Sequence, residues 1–364
     1  MKRRTFISLV GVTAAFCFPS IVKARQKLIA EEVAGSTFAP NPPLQREAPE
    51  EQFVSDYNLV IKVIGVGGAG GKAVEHMIRQ RVHGVEFIVA DTDARALKRS
   101  SAETLIQLGQ TGRSTRAAAE IGFSAATENR QRIAECLKGV HMVFIVAGMG
   151  GGTGMGAAPV FAELARELGI LTVGLMTLPF GFEGKRVTNA STGIARLQAH
   201  IDSLILVPND KMIGVLGDDA SMDEVFLAVH DVLLQAVSGI TESLLVQELA
   251  AMDFEDVRFV MGMGLGMMGV ATATGVDRAR IAAQNVIASP LLAGVDLAGA
   301  QGLLVTITTQ RSLKMREINE VMNLVRAASR EGTPIVFGTS SDEDMGDGLR
   351  VTLVATGYVG GGQA

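Results

Sequence analysis

The sequence predicts an α/β protein with a parallel-sheet domain, a long central helix and a second, smaller α/β domain. Three observations predict it. Apolar strands alternate with amphipathic helices from Asn58 onward, two glycine-rich runs each follow a strand and open a helix, and a broad apolar pattern runs from Met222 to about Ala250. The alternation begins with a strand from Leu59 to Val66, a helix from Gly71 to Arg81 and a strand from Val85 to Ala90, an order that implies βαβ units. A strand from Met142 to Ala147 feeds the second glycine run and a helix from Ala157 to Leu168. Strands from Leu171 to Thr177 and from Ser203 to Val207 extend the sheet. In the long segment Val225, Phe226, Val229, Val232, Leu233, Val237, Ile240, Leu244 and Leu245 recur at helical spacing, enough to pass through the centre of the molecule. Helices from Asp277 to Ile287 and Leu313 to Ser329, with strands from Leu303 to Thr309, Ile335 to Thr339 and Val351 to Thr356, supply the second domain. The expected divisions are residues 1–24, a signal-like or anchor segment; 25–57, a linker; 58–221, the glycine-loop domain; 222–250, the helix; and 251–364, the smaller domain.

The glycine runs carry the chemistry. Gly65, Gly67 and Gly70 satisfy GxGxxG, and the helix that follows would aim free N–H groups and the positive end of its dipole at an anion, so a phosphate fits. Asp91, at the end of the next strand, stands where a ribose-binding acid sits in a dinucleotide fold, so this run alone fits NAD as well as GTP. It is not a Walker A motif, because Lys72 precedes Ala73 rather than Ser or Thr. The second run, Gly148 to Gly156, places six glycines in nine residues and lets backbone wrap a polyphosphate. Close helix–strand packing without a ligand is the plain alternative for either run taken singly.

Composition narrows the classes. A net charge of −5 and a sequence pI near 5.7 argue against an extended basic surface for nucleic acid. Cys17 and Cys136 are far apart and the five histidines are scattered, so no metal-ligand spacing or disulfide framework is implied. At the amino terminus Lys2-Arg3-Arg4 precedes an apolar run over residues 5–22, similar to a twin-arginine export signal. A processed signal, an uncleaved anchor and an inert extension are its three readings. Residues 25–57, with four prolines, read as a flexible spacer.

From Asn58 to Gly357 the chain resembles the FtsZ family of the tubulin/FtsZ superfamily. Gly150 to Gly156 is similar to its glycine signature, although Met155 stands where a small residue or threonine is usual. The segments Pro179-Phe180-Gly181-Phe182-Glu183-Gly184 and Pro208-Asn209-Asp210-Lys211 resemble two further family motifs. The resemblance implies a GTP-binding, filament-forming cytoskeletal protein of bacterial cell division, working in the cytoplasm, at the division site or the inner membrane face. It implies phosphate contacts from Gly67, Gly68, Ala69, Gly70, Gly71 and Lys72, and from Gly150, Gly151, Gly152, Thr153 and Gly154. Glu183 would bond the ribose, with Asp91 a weaker candidate that helix capping explains nearly as well. Asn209 and Asp231 would read guanine, since a carboxylate accepts both the ring N–H and the exocyclic amine. Phe226 would stack on the base or serve as core. Asp253 and Asp256 match the acids that one subunit delivers to its neighbour's GTP, beside Mg2+, in a head-to-tail homopolymer.

The departures cluster around turnover. Ala251 replaces an asparagine beside the acids, Glu248 a glycine before them, and Val187 an arginine; Arg186 is adjacent but needs a different backbone path to reach the phosphates. Residues 111–122 resemble the family's γ-phosphate loop with its inner glycines replaced, where Arg113 and Arg116 either supply charge or are solvated. GTP hydrolysis is therefore expected to be slow or partner-dependent. The family's C-terminal linker and tethering peptide have no counterpart before residue 364, so residues 5–22 are expected to tether filaments to membrane. Two rivals stand beside this reading: an NAD(P)-dependent oxidoreductase, and a non-hydrolysing structural partner that co-assembles with another FtsZ-like filament.

Overall fold

Apolar runs that are covered on both faces set the sheet. The strand β1 (Ile61–Val66) buries all but Lys62, as a parallel strand sandwiched between helices must, and it runs directly into α1 (Gly67–Arg79). The computed structural model describes residues 59–109, 118–245, 251–292, 296–310 and 313–358. After α1 come β2 (Glu86–Asp91), the short α2 (Ala94–Leu97) and β3 (Thr104–Gln107). They are followed by α3 (Ala119–Glu128), α4 (Arg130–Leu137), β4 (Met142–Gly148), α5 (Gly152–Glu167) and β5 (Leu171–Leu178). A 3-10 turn at Gly181–Glu183 leads to α6 (Lys185–Gln198), β6 (Ser203–Pro208) and α7 (Asn209–Leu216). The remaining elements are α8 (Met222–Leu245), α9 (Phe254–Met261), β7 (Gly264–Thr274), α10 (Arg278–Ile287), β8 (Gly302–Thr309), α11 (Met315–Ala328), β9 (Ile335–Ser341) and β10 (Gly348–Thr356).

The described strands form one sheet in the order β3-β2-β1-β4-β5-β6-β7-β10-β8-β9. From β3 to β6 every pairing is parallel. The chain builds outward from β1 to β3, then returns to place β4 on the other side of β1. A crevice therefore opens at the carboxyl ends of β1 and β4, where open α/β sheets bind ligands. The two halves of the sheet join through a short parallel pairing in which Ser203, Leu204 and Ile205 lie opposite Gly264, Leu265 and Gly266. β10 runs antiparallel to both β7 and β8.

Helix α8 binds the halves together. Its buried residues pack with α1 and β1–β6 residues in one core, which also takes in Met268, Leu304 and Val354 of the second half. On the other face of the first half, α3–α6 enclose a second core, and α10 and α11 cover a third on the second half. By length and composition α8 could cross a membrane, but half of its most apolar window is buried in the fold, as in a core helix. Between α10 and α11, Arg278 Nε donates to Glu317 Oε1 at 2.7 Å with both side chains 5% exposed.

The structure moves several expected boundaries. Helices α1 and α5 begin at Gly67 and Gly152, inside the glycine runs, rather than at Gly71 and Ala157. Helical periodicity cannot register a first turn made of glycine, because that turn has no side chains to pattern. β7 was not expected at all: its sequence GLGMMGVATAT is poor in strand formers, and Gly269 is there because a methyl group would come within 2.9 Å of the Val286 carbonyl of α10. The expected continuation of α8 to Ala250, Glu248, Arg113, Arg116, and the segments 1–24 and 25–57 lie outside the described residues.

Candidate functional site

The two glycine runs meet across the crevice. In register, Gly65 and Val66 of β1 lie opposite Val146 and Ala147 of β4. Gly67, at φ +73°, is so close to the second run that a methyl group on it would sit 3.1 Å from Gly154 N and 3.2 Å from the Thr153 side chain. A methyl on Gly148 would reach Ala69 at 2.7 Å.

The glycines divide into two kinds. At Gly70 a methyl group would overlap the Val146 carbonyl, at Gly65 it would come within 2.6 Å of the Gly70 carbonyl, and at Gly154 within 2.8 Å of that of Gly148. These residues let helix and strand backbones approach each other. Gly68 and Gly151 have nothing within 4 Å of that position, so their backbones are open to a ligand. No side chain caps the first turn of α1 or of α5. The N–H groups of both turns are left for an anion, and both helix dipoles point their positive ends into one crevice. By contrast, α2 and α9 are capped by Asp93 and Asp253. Thr92 and Thr153 hydroxyls bond each other at 2.9 Å and pin the end of β2 to α5.

Asp91 closes β2, next to Thr92. It is 5% exposed, accepts the Asp93 N–H at 3.1 Å, and burial pushes its carboxyl above the usual range. The bond closes a turn just ahead of α2, whose cap is Asp93 rather than Asp91. Glu183 accepts the Phe180 N–H at 2.9 Å through one oxygen and Arg186 Nη1 at 2.7 Å through the other. Arg186 also packs against Gly150, so it reaches the second glycine run even though Val187 occupies the next position.

Asn209 opens α7 and is 5% exposed, yet its side-chain Oδ1 has no hydrogen-bond partner. Such an oxygen is costly unless a ligand completes it. Its neighbour Asp210 accepts the Gly181 N–H at 2.9 Å, tying the Glu183 turn to α7. Phe226 of α8 is 37% exposed and meets Phe180 edge-on at 5.7 Å, while Phe182 stacks on Phe180 at 5.0 Å. Five residues after Phe226 on α8, Asp231 Oδ1 accepts from His76 Nε2 of α1 at 2.7 Å. Lys72, on the same face of α1 as His76, is exposed, and its charge bears on His230. Sequence reading treated His76 and His230 as isolated; their rings are 5.9 Å apart, and no spacing signal announces a pair contributed by two helices. Thr92 was likewise not singled out, and Phe180 and Asp210 appeared only as motif positions without a role, since each acts through contacts that the fold creates.

Asp253 and Asp256 lie elsewhere. The edge of the Phe254 ring meets His141, the residue before β4, and the Arg258 charge reaches Asp202, just before β6. Helix α9 therefore sits at the amino ends of the strands whose carboxyl ends carry the glycine runs. β4 has seven residues, so the two poles are about 20 Å apart. Asp253, Asp256 and Ala251 are exposed there. Among the described residues no group of three or more His, Cys, Asp or Glu is placed to hold a metal ion. An Mg2+ that arrives with a polyphosphate needs no such cluster, because it takes most of its ligands from phosphate and water.

Comparison with known proteins agrees with this architecture. Residues 60–217 match the GTPase domain of the Tubulin/FtsZ family, and residues 264–359 the C-terminal domain of the FtsZ family. The cell division protein FtsZ of Coxiella burnetii is 50% identical over 316 residues, covering 85% of this chain and 82% of that protein. Its counterpart from Pseudomonas putida is 50% identical over 303 residues, covering 82% and 76%. A solved FtsZ dimer from M. jannaschii superimposes with a TM-score of 0.78 at 35% identity, over 83% of this chain and 91% of that one. With two glycine-opened helices facing one crevice and both family domains matched in order, the chain belongs to the FtsZ family.

Proposed function

We propose that this chain is a GTP-binding, filament-forming GTPase of the bacterial cell-division type, whose catalytic site is completed by the next subunit of a head-to-tail homopolymer. The observation that carries the proposal is the placement of the glycine runs and of Asp253 and Asp256 at opposite ends of one strand, about 20 Å apart. A head-to-tail contact brings those two poles together, and such heterologous contacts build open filaments. Exposed apolar residues at both poles suit that contact: Phe182 and Phe226 at one, Phe259 at the other.

In this reading the first turns of α1 and α5 hold the phosphates through backbone N–H groups from Gly67 to Gly71 and Gly150 to Gly154. Glu183 meets the ribose, and Asn209 and Asp231 recognise the guanine. The unpartnered Asn209 oxygen and the open backbones at Gly68 and Gly151 are the features a nucleotide would satisfy. Mg2+ bound with the nucleotide would neutralise phosphate charge. Asp253 and Asp256 of the adjoining copy orient a water for in-line attack on the γ-phosphorus; the bond to the bridging oxygen breaks, and GDP and phosphate leave. Ala251 offers no hydrogen bond beside those acids and Val187 offers no charge, so turnover is slow relative to the family. Asp91 is buried and already accepts the Asp93 N–H, which weakens the case for a nicotinamide-dependent oxidoreductase.

GTP-dependent pelleting of the full chain, with phosphate release followed in the same tube, tests the proposal. Pelleting with GTP and slow release of phosphate are expected. Binding of GTP without pelleting would instead identify a non-hydrolysing partner of another filament, and binding of NAD(P) rather than GTP would overturn the reading. The working place is the cytoplasm at the division site, with residues 5–22 as a membrane tether. Deleting residues 2–24 then shifts the protein to the soluble fraction; unchanged membrane association overturns the tether.

A further inference from the structure

We propose that His76 is a positioning residue for base recognition, holding the Asp231 carboxylate in the one orientation that accepts both N–H donors of guanine. The inference rests on the assignment of Asp231 to the base. His76 Nε2 lies 2.7 Å from Asp231 Oδ1, across the contact between α1 and α8. The imidazole is 11% exposed and thus held by its packing, whereas the carboxylate is 44% exposed and still open to a ligand. An ionised carboxylate has about four acceptor positions, so the bond to His76 leaves room for two from a base. Without it, a half-exposed aspartate must lose side-chain freedom to make a two-point contact, at a cost in affinity.

An ionised carboxylate can only accept, so in this contact His76 Nε2 donates. His230, whose ring is 5.9 Å away, is pushed down to about 4 chiefly by burial, with His76 and Lys72 adding to the effect and Asp231 opposing it. It is uncharged near neutrality. Helix α1 also carries the glycine turn that faces the phosphates, and the eight residues from Gly68 to His76 correspond to about 12 Å of axial rise. One rigid helix therefore sets the spacing between the phosphate end of the site and the base end. Sequence alone does not show this, because Lys72 and His76 share a helical face with nothing to indicate what that face meets.

The test compares GTP with inosine triphosphate, which lacks the exocyclic amine, by equilibrium titration of the full chain. His76→Ala and the bulkier His76→Leu are expected to weaken GTP about tenfold, as for loss of a hydrogen bond to a charged group. Inosine triphosphate should weaken much less, so the preference between the two shrinks. His76→Gln, whose amide can donate at similar reach, should restore most of the preference. Equal weakening of both nucleotides, or no change in either variant, overturns the proposal. Asp231→Asn separates it from the reading beneath it. If that variant keeps the wild-type preference, the base assignment falls as well; if it loses the preference while the His76 variants keep it, only the role of His76 falls.

Discussion

Removing one acid from the amino-end pole should separate binding from turnover. Asp256→Asn keeps the size of the side chain and removes its charge. Within one chain the acid is about 20 Å from the glycine runs, more than twice the screening length of about 8 Å at physiological ionic strength. GTP affinity of the isolated subunit should therefore stay within about twofold of wild type, since a charge that far away is screened. Phosphate release should fall by about 10²–10⁴, the usual contribution of a positioned acid–base group. Filaments should persist, because the nucleotide pole is intact. Mixing supplies the sharper assay. A chain with Asp231→Asn loses guanine recognition and keeps its acids, so it offers an intact acidic pole to the GTP of an Asp256→Asn subunit. Neither variant turns over GTP well alone. In a random 1:1 mixture about a quarter of head-to-tail contacts join an intact nucleotide pole to intact acids, and turnover should recover towards that fraction. Failure of the mixture to recover, or a fall in subunit GTP affinity that parallels the fall in turnover, would refute catalysis across subunits.

Three further outcomes follow from the site. Asn209→Ala should lower GTP affinity about tenfold while leaving the thermal midpoint unchanged or raised, because its buried oxygen lacks a partner; a melting curve and a titration check both halves. Gly70→Ala should destabilise the fold by at least about 2 kcal/mol through its clash with Val146, whereas Gly151→Ala should cost less than about 1 kcal/mol and weaken GTP binding instead. Denaturant melts and nucleotide titration of the two variants should show opposite profiles. His230 titrates at about 4 when folded against 6.5 when unfolded, so the unfolded chain takes up the proton first and stability is lost as pH falls through that window. The loss should approach about 3 kcal/mol at pH 4, at about 1.4 kcal/mol per unit, and His230→Leu should flatten that part of the stability–pH profile.

Much of this was legible in the sequence because parallel strands leave strong marks. The runs ending at Val66, Ala147 and Val207 are apolar on both faces and carry turn residues at their ends, and each appears within a residue or two of its expected place. The glycine runs were legible as anion sites, but their division into packing and open positions depends on what lies across the crevice. Gly70 and Gly68 look alike in sequence, and only the Val146 carbonyl distinguishes them. Asp91 had two readings at the sequence level, and its direction is set by the Asp93 N–H, a contact within a turn that spacing cannot resolve. β7 escaped because it is poor in strand formers, with Gly269 answering to helix α10 and Gly266 to the neighbouring strands. The His76–Asp231 pair escaped because it joins residues 155 positions apart.

The placement of β10 has a consequence for synthesis of the protein. This strand lies between β7 and β8, although both precede it in the chain. All the strands from β1 to β6 leave the ribosome early and can pair as they emerge, whereas β7 and β8 have no common neighbour until Thr356 is made. At about 5–20 residues per second, the roughly 150 residues after β6 take several seconds to a half-minute to appear. During that interval β7 and β8 lack the strand that joins them, so the second half of the sheet closes only when the last strand is made.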